Sequence, residues 1–283
     1  MFARAAALIL FAGLLSAQPP QRPSFEVATV KASPNCVQQR MEPTPGRLDL
    51  RCVTLRSLIE GAYGALAGGK VASQQLKVVG GPAWLDSDKF DISAKAEGSS
   101  DFAEMVGFML PGLLEERFQL KLHKEPRETP VYALTVGKGA LKLPPTKEGS
   151  CMPLDLKKLP KPGEPQPNFC GMPRMMFKNG AFSGEVMGAT MEEFAGRFLM
   201  NQVGRPVLDK TGLTGRFDIH LEFAREMPPG AMLNGAPMPA PPPNDSGAPS
   251  IFTAIQQLGL KLTADKAPID VIVVDSAQKP SEN

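Results

Sequence analysis

Two stretches of this chain alternate apolar and polar positions in the same way. Phe118 to Val136 reads FQLKLHKEPRETPVYALTV, and Leu258 to Val274 reads LGLKLTADKAPIDVIVV. Each begins with Leu-Lys-Leu (Leu120, Lys121, Leu122; Leu260, Lys261, Leu262), passes through a polar stretch and meets a Pro-led apolar run from Pro130 or Pro268. A period of two places alternate side chains on opposite faces, so each stretch predicts an antiparallel hairpin with one buried face and its turn in the polar stretch. Leu120, Leu122, Leu260 and Leu262 are then expected inside, with Lys121 and Lys261 facing water.

The likeness continues upstream. Phe90-Asp91-Ile92 returns as Phe217-Asp218-Ile219, and each is preceded by a Pro-led segment carrying an aspartate, Pro82 to Asp86 and Pro206 to Asp209. Earlier still come the helical segments TLRSLIEGAY from Thr54 and TMEEFAGRFL from Thr190. Threonine is a good helix cap, and Glu192 and Glu193 put negative charge where the helix dipole favours it. Repetition of a whole ordered set predicts an α+β fold of two pseudo-repeated helix-on-antiparallel-sheet units. The first unit spans 24–138 and the second 182–277. Between them, 139–181 reads as a Pro-rich, Cys-bearing linker, and 227–249 as a disordered Pro-rich loop inside the second unit.

Other segments fill in the first unit. FEVATVKAS from Phe25 predicts a strand with Phe25, Val27 and Val30 inward, followed by a loop over 34–51. The helix from Thr54 is expected to end in the glycine-rich run Gly61 to Gly69. Asp101 should cap a helix bearing Phe102, Val106, Met109, Leu110, Leu113 and Leu114, with Pro111 kinking or dividing it.

The N-terminus predicts a destination. Arg4, the apolar run Ala5 to Leu15 and small Ser16-Ala17 lay out a cleavable secretory signal over 1–17, too short for a comfortable membrane span. The rival reading is an uncleaved anchor. No later segment is apolar enough to cross, so the expected product is extracytoplasmic, periplasmic or secreted, with no integral membrane span after signal removal.

Composition narrows the partners. Over 283 residues, 31 Lys+Arg nearly balance 29 Asp+Glu, and no basic stripe or aromatic series stands out, which argues against nucleic acid. The four cysteines, Cys36, Cys52, Cys151 and Cys170, form an even set in a chain with an export signal, and so read as disulfides. Sequence neighbours suggest Cys36 with Cys52 and Cys151 with Cys170, although four cysteines allow three connectivities. A metal site is the rival, but CxxC spacing is missing and the two histidines, His123 and His220, sit in strand patterns on the polar side.

Three stretches resemble catalytic motifs without their context. Gly64 to Lys70 has phosphate-loop spacing, but Val71 replaces the magnesium-binding hydroxyl residue and a helix precedes it. Asp209-Lys210-Thr211-Gly212 matches a phosphorylated aspartate motif and reads as a turn, with Gly212 and Gly215 at positive φ. Ser276 and Lys279 have the spacing of penicillin-interacting enzymes, but lie beyond a strand with no partner motifs. No catalytic, cofactor-binding or metal residue is assigned, and no cofactor is implied.

The ordered series FEVATVKAS, LRSLIEGAYG, GGPAWLDSDKFDISAKA, LLEERFQLKLHKEPRETPVYALTV, VLDKTGLTGRFDIHLEF and IDVIVVDSAQKPSEN resembles the soil-associated secreted family of domains of unknown function expanded in acidobacteria. The resemblance covers nearly the whole mature chain. It implies an exported domain with no assigned activity. Related domains occur attached to membrane metallopeptidases of the antibiotic-sensor type, but this chain lacks their HExxH. The reading that follows is a non-catalytic binding or interaction module for a protein or cell-envelope partner. The alternative, from a different class, is a secreted hydrolase using carboxylates among Asp86, Asp88, Asp91, Asp209 and Asp218.

Overall fold

The computed structural model describes residues 22–67, 76–155, 164–165, 167–178, 181–224, 232–233, 236–237 and 247–281. The leader-like segment 1–17, the end of the phosphate-loop-like stretch from Gly68 to Lys70 and most of 227–249 lie outside them. The fold is α+β.

Strand β1 (Phe25–Ala32) opens the chain, and the expected loop over 34–51 instead contains a hairpin, β2 (Arg40–Thr44) and β3 (Arg47–Thr54). Arg47-Leu48-Asp49-Leu50 carries the period-two signal, and Leu48 and Leu50 are buried. In β1 the inward set is not the one expected. A register shift between Phe25 and Val27 turns Val27 outward, 59% exposed, while Val30 is buried. Thr54 caps helix α1 (Leu55–Ile59), accepting from the Ser57 N–H, and the helix continues through Gly61 as a π-helical turn, Glu60–Ala65. The helix thus passes Gly61 and Gly64 and ends at Ala65, inside the glycine-rich run.

Next come the short strand β4 (Val78–Gly80), the helical turn α2 (Trp84–Ser87) and strand β5 (Lys89–Ala96). Asp101 then makes a capping box with Glu104 at α3 (Phe102–Glu104). A π-helical segment, Met105–Met109, passes into α4 (Leu110–Arg117), and Pro111 stands where the π-helical segment gives way to α-helix. Strand β6 (Lys121–Val136) follows.

The second half has a similar but not identical order, without counterparts of β1 and α2: hairpin β7 (Pro173–Lys178) and β8 (Ala181–Ala189), then α5 (Met191–Glu193) capped by Thr190, a π-helical segment Phe194–Leu199 and α6 (Met200–Val203). Strands β9 (Val207–Asp209) and β10 (Phe217–Ala224), the two-residue strands β11 (Met232–Leu233) and β12 (Ala236–Pro237), helix α7 (Ile251–Gln257) and strand β13 (Leu260–Ser276) complete it. The stretch 139–181 is thus more than a linker, because it supplies β7.

Three sheets carry the fold. They have the orders β1-β5-β3-β2, β10-β8-β7 and β4-β13-β6-β9. In the third, β6 and β13 are single long strands rather than two hairpins, and they pair antiparallel with each other along their whole length. The polar middle that looked like a turn runs straight through, with most of residues 123–130 exposed. The ladder is symmetric about Glu128 opposite Pro268: Leu122 faces Val274 as Leu134 faces Leu262. The parallel flanks match as well. Ile272 donates its N–H to the Lys77 carbonyl beside β4, and Tyr132 donates to the Pro206 carbonyl beside β9, both at 2.9 Å.

This ribbon joins two cores. In one, Leu120, Ile272 and Val274 pack with Leu55, Ile59, Phe90 and Phe118; in the other, Leu134 and Leu260 pack with Phe194, Phe198, Ile219 and Ile255. Each core takes one end of β6 and the opposite end of β13. Leu122 and Leu262 are half-buried at the margins of these cores, whereas Leu120 and Leu260 are fully buried and Lys121 and Lys261 are exposed.

Candidate interaction edge

Strand β7 has the sequence PRMMFK, and its side chains do not follow the rule of one buried face. Met175, Met176 and Phe177 are 39%, 57% and 62% exposed. The strand forms the edge of its sheet, paired on one side with β8 and on the other with no strand among the described residues. A two-residue connection, Asn179-Gly180, links β7 to β8, with Lys178 opposite Ala181. In a ladder closed this way the flanking pair exchanges both hydrogen bonds, so alternate residues, Phe177, Met175 and Pro173, turn their main-chain groups outward. Proline has no N–H to offer, and this outward position is where an edge strand tolerates it.

The exposed apolar side chains are held from below. The Phe177 ring lies 5.1 Å from Phe182, Phe182 6.0 Å from Phe223, and Phe223 6.1 Å from Phe198, which stacks at 5.4 Å on Phe194 in the core. Opposite Met175, Gly184 leaves room for this approach. A Cβ there would come within 2.6 Å of the Phe198 ring and 3.2 Å of the Met175 sulfur. Arg174 donates to the Asn168 side chain and so fixes the start of the strand. The sequence reading missed this site by treating 139–181 as a linker. The signal that could have found it is Asn179-Gly180 between apolar residues, a strong short-range hairpin mark.

The residues singled out from sequence have other work. Cys36 is bonded to Cys52 and Cys151 to Cys170, with Cα separations of 5.6 and 5.0 Å. The carboxylates do not gather at one point. Asp86 takes the Arg56 guanidinium, which also donates to the Val78 carbonyl at 2.8 Å and so ties α1 to β4. Asp88 accepts from Ser87 and pairs with Lys279 at 2.6 Å. Asp209 accepts from the N–H and hydroxyl of Thr211, closing the turn that Gly212 and Gly215 follow at φ 70° and 100°. Asp91 and Asp218 each accept a backbone N–H within their own sheets, from Cys52 and Gly188.

Both histidines are on the exposed side of their strands. His123 Nδ1 lies 3.0 Å from Asp275 and its Nε2 3.4 Å from Glu125, which accepts from Arg127. These two carboxylates, Asp275 first, raise the His123 pKa from its ordinary value. His220 Nδ1 lies 3.5 Å from Glu185. Among the described residues, no group of three or more His, Cys, Asp or Glu side chains could hold a metal ion, and no helix is long and apolar enough to cross a membrane.

A mixed α+β protein with a disulfide beside each of two helix-bearing sheets is the class that this geometry defines. The chain belongs to the DUF3738 family, proteins of unknown function, whose family model matches residues 56–277. Comparison with curated proteins and with solved structures gives no match.

Proposed function

We propose that the protein is an exported, non-catalytic binding module that takes an extended segment of a partner protein, in the medium or the cell envelope, as an added strand on β7. The observation that carries this reading is the edge at Met175 and Phe177, unpaired among the described residues, where outward main-chain groups and exposed apolar side chains coincide. Strand addition draws affinity from main-chain hydrogen bonds and specificity from alternate side chains. Each such bond adds about 0.5–1.5 kcal/mol net, and full burial of a Met or Phe side chain about 1.5–3 kcal/mol. The leader-like N-terminus and two disulfides support an oxidising destination outside the cytoplasm.

The test uses displayed seven-residue peptides with alternating apolar and polar positions. Binders should shift the amide signals of Met175 and Phe177 in an isotope-labelled sample, and Met175→Pro should weaken them by about tenfold or more, since it removes an outward N–H while sparing the β8 ladder. Phe177→Ser should do likewise by removing the apolar contact. Absence of peptide binders, or binders indifferent to both substitutions, would overturn the reading.

A further inference from the structure

A cleft of ≈ 600 Å³ opens where the middle of the ribbon passes between the π-helical end of α1 and the end of α6. Its apolar lining includes Leu76, Met200, Ile269 and Val271, and its charged groups are Glu60, Lys77 and Arg205. The size falls within the range of small-molecule sites, which are mostly apolar with a few polar groups that fix orientation.

The charges are unevenly committed. Among the described residues neither Lys77 nor Arg205 forms an ion pair, although the Arg205 guanidinium lies 5.7 Å from the centre of the Tyr132 ring. Glu60 is the cleft's acidic residue. Burial against the cleft wall raises its pKa, with the charge of Asp86 adding to the effect and Arg56 opposing it. Two cations against one carboxyl make the balance of the cleft cationic over an apolar floor. The cations come from opposite walls: Lys77 precedes β4 and Arg205 precedes β9, so both follow the ends of the two helices that the ribbon separates.

From this geometry we infer that the cleft is a binding site for a single-chain anionic amphiphile, with its carboxylate between Lys77 and Arg205 and its apolar tail over Met200, Ile269 and Val271. Two cations against one carboxyl, with an apolar floor beside them, are the complement of such a molecule. The cleft does not include β7, so this site stands independently of strand addition there.

Calorimetric titration with sodium octanoate below its micellar concentration tests the inference, with octan-1-ol supplying the tail without charge and acetate the charge without tail. Octanoate should bind saturably, one per chain, with octanol about tenfold or more weaker and acetate giving no saturable heat. The double variant Lys77→Ala/Arg205→Ala should lose about tenfold or more in octanoate affinity, while Glu60→Gln should retain or improve it. Met200→Trp, which fills the cleft, should abolish binding; if it unfolds the protein, the double variant at two exposed positions decides. Absence of saturable octanoate binding, equal binding of octanol, or an unchanged affinity in the double variant would overturn the assignment.

Discussion

Cys52 and Gly188 hold the same left-handed backbone, φ 60° and 59°, and each donates its N–H at 2.9 Å to the aspartate of a Phe-Asp-Ile strand, Asp91 and Asp218. Two residues later, Thr54 and Thr190 cap the helices that follow. At Cys52 the side chain is used for the bond to Cys36. At Gly188 the corresponding space is filled from outside, because a Cβ there would fall 2.3 Å from the Cys151 sulfur. Both disulfides thus brace the same turn from strand into helix. Gly188→Ala is expected to cost about 3 kcal/mol, through positive-φ strain and overlap with the Cys151–Cys170 bond. Urea unfolding measures it, and a loss below about 0.5 kcal/mol would contradict the packing argument.

Reduction should weaken both turns. The bonded cysteines lie 16 and 19 residues apart, and closing loops of that length stabilises by about 3 kcal/mol each in the chain-entropy model. The denatured, unreduced protein should show no free thiol, and a reductant should lower its melting temperature by several degrees per bond broken. Four reactive thiols before reduction would refute the pairing.

How far the sequence discloses this fold depends on where its contacts lie. Local signals were legible: the caps at Thr54, Asp101 and Thr190, the Phe-Asp-Ile strands, and the outward Lys121 and Lys261 all stand where alternation and capping place them. The middle of β6 was not. On β6 the residues that cross between the cores, His123 to Thr129, are mostly polar and exposed, and so imitate a turn. Its partner lies far along the chain, and no local pattern reveals that Leu122 faces Val274. Val27 misled for a related reason, since one bulge reverses every side chain beyond it. The apolar β7 edge went unread because Met175, Met176 and Phe177 are all exposed and so carry no burial period.

His123 gives a pH test on the exposed face of the ribbon. Its pKa is raised by the hydrogen bond with Asp275 and, second, by Glu125. A histidine whose folded pKa exceeds the ordinary 6.5 adds stability that is fully present below that pH and is lost as pH rises through the raised value. On an exposed site this contribution is screened by salt. Nuclear magnetic resonance should therefore find His123 titrating above His123 of the Asp275→Asn variant. Identical midpoints in the two proteins would remove the role assigned to Asp275.

The exchange of strands makes the two halves interdependent. Strand β4 pairs with β13, from the other half of the chain, and β9 pairs with β6. The first core needs Ile272 and Val274 from β13, while the second needs Leu134 from β6. A fragment of residues 22–142 expressed alone keeps its helices and first sheet but lacks the strand that covers Leu120, leaving apolar surface that cannot be satisfied within one fragment. Neither this fragment nor 143–283 should unfold cooperatively as a monomer, whereas mixing them should yield a one-to-one complex with the circular dichroism of the intact chain. Size-exclusion chromatography with light scattering tests this. A monomeric first fragment with a sharp unfolding transition would show that the ribbon connects two self-sufficient domains. In that case, truncating Ile272 to Ala would leave the first half's stability unchanged; if the halves depend on each other, the same truncation in the intact chain should cost about 2–5 kcal/mol through lost burial and the cavity it leaves.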